Sequence, residues 1–101
     1  MTKQKWQKLS LVEQLANIGS EFNRVLYWQK VGDMENKERA AWRVLELLDL
    51  TISDKRWQKR LSELVRLREV ICDFFLGERI YNISPKKIND YFLSFALVAR
   101  K

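Results

Sequence analysis

The amino-acid sequence predicts an all-α protein: an antiparallel up-down four-helix bundle with helices over about 10–31, 34–52, 55–76 and 85–99. Three observations point there. Apolar residues recur at steps of three and four through most of the chain, which keeps them on one side of each helix. Three glycines and one proline in 101 residues leave little material for hairpin turns or flexible linkers. No alternating apolar and polar run is long enough to form a strand. The length fits a single helical domain, residues 1–101, that buries ~60–70% of its unfolded surface around one core.

The first helix opens on Ser10-Leu11-Val12-Glu13, where the serine hydroxyl and the glutamate carboxylate three residues later satisfy each other's free amides as a capping box. Its stripe is Leu11, Leu15, Ile18, Phe22, Val25 and Leu26. Gly19 lies beside that stripe and costs ~1 kcal/mol relative to alanine in mid-helix, so close approach of another helix is expected there. Trp6 and Leu9 precede the cap, as an additional N-terminal turn or a backward extension of the helix. Gly32 is the expected left-handed C-terminal residue.

Asp33 caps the second helix, and its charge with Glu35 and Glu38 suits the positive end of the helix dipole. Glu35 and Arg39, four apart, are placed to pair. The stripe of Ala40 or Ala41, Val44, Leu45, Leu47, Leu48, Thr51 and Ile52 is broad enough to receive at least two neighbours. The third helix starts near Ser53 or Asp54 and runs to Gly77, with Trp57, Leu61, Leu64, Leu67 or Arg68, Ile71, Phe74 and Phe75 inward. So short a connection joins antiparallel neighbours, which makes the second and third helices the expected central hairpin, flanked by the first and fourth. The period is lost over Gly77–Asn82, where Ile80 and Tyr81 are expected to fold back on the core. Ser84-Pro85 then starts the last helix, as a cap followed by proline at the first helical position. That helix carries Ile88, Tyr91, Phe92, Phe95, Ala96, Val98 and Ala99, and Arg100-Lys101 suits its C-terminal dipole.

The formal charge of +6 is unevenly spread. Residues 32–53 carry five acidic and three basic groups, and the segments on both sides are basic. The helix on which the others are expected to pack is therefore the acidic one, and a positive surplus remains on the surface.

The chemistry is bounded first by absences. Histidine is missing, which removes the commonest general base, the serine–histidine pairing and most zinc and haem sites. One cysteine and no histidine leave no plausible transition-metal site, and no glycine-rich phosphate loop is present, so neither metal nor cofactor is expected. Cys72 beside Asp73 reads as a small hydrophobe at the core edge rather than a reactive thiol. A single cysteine and no signal-peptide pattern at the N-terminus point to a cytoplasmic protein, and no apolar run approaches the ~20 residues of a membrane helix.

Four groups of residues are candidate sites. Lys55, Arg56, Lys59 and Arg60, continued by Arg66, form a basic strip if the segment is helical, and positive charge at a helix N-terminus opposes the dipole. Pairing with Glu63 and with the acidic second helix accounts for the same residues as a solvated face. Trp28, Trp42 and Trp57 are candidate aromatic interface residues, since a small bundle does not easily enclose four tryptophans and satisfy each indole N–H. Glu46, Asp49 and Asp54 can converge into a small polar cluster near the turn between the second and third helices, although capping by Asp54 and an arginine partner for Asp49 explain them without a ligand. Ser84-Pro85-Lys86-Lys87 resembles the short basic repeat of linker histones that contacts the DNA minor groove; helix capping accounts for it as well.

The stretches Leu15-Ala16-Asn17-Ile18-Gly19-Ser20-Glu21, Leu45-Glu46-Leu47-Leu48-Asp49-Leu50-Thr51 and Arg66-Leu67-Arg68-Glu69-Val70-Ile71-Cys72-Asp73-Phe74-Phe75 resemble segments of a small, uncharacterised family of all-helical prokaryotic proteins of about this size. The resemblance implies helices and brings no activity. The helical hairpin is also loosely similar to the bundles of HEPN domains, whose nuclease members use an arginine followed several residues later by a histidine; the absence of histidine leaves only a non-catalytic bundle in that likeness. The expected function is a non-enzymatic helical binding module that self-associates or binds another protein. The alternative is a small nucleic-acid-binding protein using Lys55, Arg56, Lys59, Arg60 and Lys86.

Overall fold

Local backbone signals start and stop most of the helices. The computed structural model describes residues 2–77 and 83–99, and within the last helix the side chains up to Leu97. The expectations for Ile80, Tyr81, Val98, Ala99, Arg100 and Lys101 lie outside the described residues or side chains. The described residues form only helices and their connections: α1 (Lys3–Trp6), α2 (Leu11–Val31), α3 (Met34–Ile52), a 3-10 segment (Lys55–Arg60), α4 (Leu61–Leu76) and α5 (Pro85–Ala99). Trp6 thus closes a separate N-terminal turn, whose cap Thr2 accepts from the Lys5 amide at 3.2 Å. The capping box at α2 is formed in both directions, Glu13 N–H to Ser10 Oγ at 3.1 Å and Ser10 N–H to Glu13 Oε1 at 3.0 Å. Gly32, at φ +81°, ends α2 in the left-handed region that favours glycine. Asp33 caps α3 through the Asn36 amide at 3.1 Å. Ser84 Oγ accepts from the Lys87 amide at 3.3 Å ahead of Pro85.

The predicted single helix over 55–76 is two elements. Residues 55–60 form a 3-10 segment with a non-helical Trp57 (φ −106°, ψ 21°), and Arg60 (φ −112°, ψ 13°) precedes α4 with no side-chain cap. A 3-10 turn preserves the three-residue spacing, so the apolar pattern alone does not distinguish it from the first turn of an α-helix.

The predicted centre also shifts. The most extensively packed helices are α2 and α3, joined through Gly32 and Asp33, with α5 lying along α2 and α4 against α3. The core runs through Leu15, Ile18, Phe22 and Val25 of α2, Val44 and Leu48 of α3, Leu64 and Ile71 of α4, and Ile88 and Phe92 of α5. Phe22 joins three helices, its ring centroid 5.6 Å from Phe74, 6.1 Å from Phe75 and 6.1 Å from Phe92. Gly19 permits the approach of α5: a Cβ at that position would fall 2.4 Å from Phe92 Cβ.

Candidate functional site

At one end of the molecule the side chains of α1, α2, α3 and the 3-10 segment meet in a polar clasp. Gln14 is fully buried on the apolar side of α2. Its Nε2 donates to the Trp6 carbonyl at 2.9 Å and, more weakly, to Asp54 Oδ2 at 3.4 Å, while its Oε1 accepts from Trp57 Nε1–H at 3.0 Å. Trp6, also fully buried, donates its indole N–H to Thr51 Oγ1 at 2.9 Å. Asp54, 4% exposed, caps the 3-10 segment through the Arg56 amide and receives the Arg56 guanidinium, with Nη2 to Oδ2 at 2.7 Å. The same guanidinium donates to the Leu9 carbonyl at 2.9 Å and lies over the Trp57 ring, 4.5 Å from its centroid. No buried side-chain nitrogen or oxygen among the described residues lacks a partner. Arg56 holds the Asp54 carboxyl below the usual aspartate range, chiefly by its hydrogen bonds, against the opposing effect of burial.

This clasp engages part of both the basic strip and the aromatic set. In the strip, Arg56 is turned onto Asp54 and Arg60 onto Glu63, at 3.0 Å from Nη2 to Oε1, whereas Lys55 and Lys59 stand exposed. Arg66 lies on α4, beyond the break at Arg60. Residues four apart do not superimpose on a 3-10 turn, so Lys55, Arg56, Lys59 and Arg60 do not make the two-residue-wide stripe expected of an α-helix. Lys86 approaches Asp90 at 3.9 Å.

The three tryptophans of the aromatic set have different surroundings. Trp57 is half-buried, with its N–H on Gln14 and its face under Arg56. Trp28 is half-buried and packs edge-on to the exposed Tyr27, with centroids 5.0 Å apart. Trp42 is 65% exposed.

The polar cluster does not assemble. Asp49 reaches Arg68 on α4, Oδ1 to Nε at 2.7 Å, Asp54 takes Arg56, and Glu46 is exposed. Opposite charges on α3 and α4 draw Asp49 towards Arg68, and the cap position fixes Asp54. Among the described residues no group of three or more histidine, cysteine or acidic side chains is placed to hold a metal ion. Cys72 is half-buried and accepts from Arg68 Nη1 at 3.6 Å. No described helix is long and apolar enough to cross a membrane.

Two of the surface grooves among the described residues bear on function. One lies between α4 and α5, with an apolar floor that includes Leu67, Val70 and Ile88, beside Tyr91. Burial, reinforced by a 2.9 Å hydrogen bond to Glu63, pushes the Tyr91 phenol up to about 12. The other, of about 550 Å3, opens between α2 and α3 and brings together Arg24, Tyr27, Trp28, Arg39 and Arg43. The sequence pattern does not single out these arginines. Arg39 and Arg43 are four apart on α3, a usable signal, but only the turn through Gly32 places them across from Arg24 and Tyr27. No protein-family profile, curated protein or solved structure matches the chain.

Proposed function

We propose that the protein is a non-enzymatic helical interaction module of the cytoplasm that associates with a second copy of itself, on an antiparallel up-down bundle. The observation that carries this reading is Trp42, 65% exposed on α3 while Ala40, Val44, Leu47 and Leu48 of the same helix are buried. A tryptophan offers ~150–250 Å2 of buriable surface, so covering the exposed part removes roughly 100–160 Å2 from water, or about 2–4 kcal/mol per copy at ~25 cal/mol per Å2. In a twofold dimer that contribution is made twice. Aromatic side chains of this kind concentrate at the centres of interfaces. Leu93 and Leu97, four apart on α5 and both exposed, add apolar surface of the same character.

Light scattering across a concentration series tests the reading. The expected result is a dimer mass at micromolar concentration for the natural chain and a monomer for Trp42→Glu, with unchanged far-UV circular dichroism. A monomer at high concentration in the natural chain rules out self-association.

A further inference from the structure

We propose that the groove between α2 and α3 binds single-stranded nucleic acid, with phosphates on Arg24, Arg39 and Arg43 and a base stacked on Tyr27. This site goes beyond the self-association reading and shares none of the residues of the 55–60 basic segment. Three guanidiniums from two helices line one groove of about 550 Å3, a volume within the ~300–1,000 Å3 range of ligand clefts. Glu21 is the one carboxylate in the lining, and Glu35, outside it, pairs with Arg39, so the three guanidiniums outnumber the carboxylates beside them.

The cations are weakly committed. Arg24 holds Glu21 through a single contact at 3.3 Å, and Arg39 holds Glu35 at 2.9 Å with both side chains exposed. The Arg39–Glu35 pair lies in water on both sides and is weak, so a phosphate displaces it at little cost, and Arg24 keeps most of its own side chain exposed beside the largely buried Glu21. Arg43 makes no hydrogen bond or ion pair among the described residues. Guanidinium is planar and forks onto phosphate oxygens, which suits this group to a backbone that presents successive anions.

The aromatic pair selects within the polyanions. Tyr27 stands edge-on to Trp28 at an interplanar angle of 71° and is 57% exposed, so Trp28 steadies a ring that remains accessible. An unpaired base stacks on such a ring; a base inside a duplex is already stacked on its neighbours, and an acidic polypeptide has no base to offer. The combination of cations and a steadied aromatic ring therefore favours a single strand over both.

Fluorescence anisotropy with a short fluorescein-labelled oligouridylate tests the assignment, with the matching duplex and polyglutamate as competitors. The expected result is binding at low salt that Arg43→Glu weakens by about tenfold, with the logarithmic salt slope reduced by ~0.7 for each phosphate left without its guanidinium. Tyr27→Ala is expected to weaken binding by about fivefold or more. Lys59→Glu makes the same change in net charge on the 3-10 segment, which contributes no residue to the groove lining, and is expected to have less than about a twofold effect. Arg24→Gln, a milder substitution, repeats the charge test if Arg43→Glu does not fold. Any one of three results overturns the proposal: no binding at low salt, equal losses for Lys59→Glu and Arg43→Glu, or competition by polyglutamate as effective as by unlabelled oligouridylate.

Discussion

Replacing Gly19 by alanine tests the packing of α5 on α2. The added methyl would lie 2.4 Å from Phe92 Cβ and 2.9 Å from Phe92 Cγ. Carbon atoms in contact settle at ~3.5–4.0 Å, so the two helices must part by about 1 Å or more along that line. Rotation of the phenyl ring does not relieve the contact, because Cβ moves only with the backbone of α5. Phe92 and Ile88, the buried residues among those described in α5, then lose part of their packing on α2. Overpacking of this kind costs ~1–3 kcal/mol, and alanine returns ~1 kcal/mol of helix propensity. Because the clash reaches the backbone of α5, the cost belongs at the upper end, and a net loss of about 1–2 kcal/mol is expected. For a domain of this size that lowers Tm by ~4–8 °C per kcal/mol. Urea and thermal unfolding followed by circular dichroism measure it. Ser20→Ala is the control: Ser20 is exposed, its hydroxyl bonds back to the Ala16 carbonyl at 3.3 Å, and its loss is expected to be neutral or slightly stabilising. A Gly19→Ala variant as stable as the natural chain, or more so, refutes the close approach of α5.

Two further predictions concern the clasp. Gln14→Leu keeps the approximate volume but leaves Trp57 Nε1–H without its partner and removes one of two donors to the Trp6 carbonyl, which keeps the Leu9 amide at 3.1 Å. At ~1–3 kcal/mol for a buried unsatisfied group, discounted because Trp57 is half-exposed, a loss of about 1–2 kcal/mol in urea unfolding is expected, and a neutral effect refutes the structural role of the clasp. The depressed pKa of Asp54 makes its contribution complete above the ordinary aspartate value of ~3.9, lost as pH falls through the lower folded value. Asp54→Asn is therefore expected to be less stable than the natural chain at neutral pH and to converge with it as pH falls through the lowered folded value, and a gap that stays constant with pH contradicts the ion pair.

How far the sequence predicts the site depends on the range of the interactions. The basic strip rests on α-helical geometry over 55–60, and Gln14 shows why that geometry fails there. Gln14 lies three residues after Leu11 on the buried side of α2, yet as a polar residue it is absent from the predicted apolar stripe. Its partners lie 8 to 43 residues away in sequence, and they draw Trp57 and Arg56 into positions that a continuous helix does not provide. Trp6 is similarly ambiguous in the sequence: its burial depends on Thr51, at the far end of α3. By contrast, the Glu35–Arg39 pair and the pairing of Asp49 with an arginine are legible, the first from spacing on one helix and the second from the excess of arginine on neighbouring segments.

Local signals along the chain are enough for the helical class and for nearly every helix boundary in the described residues. The capping box at Ser10, the left-handed Gly32, the Asp33 cap and the Ser84-Pro85 start act within four or five residues, and their physics is complete before the chain folds. Long-range packing sets the rest: the break at Arg60, the pairing of α2 with both α3 and α5, the clasp that engages Arg56 and Trp57, and the grouping of Arg24, Arg39 and Arg43 in one groove. Each of these depends on buried polar satisfaction and close packing between residues distant in sequence, where local propensities are worth tenths of a kcal/mol and unsatisfied buried groups cost several times more.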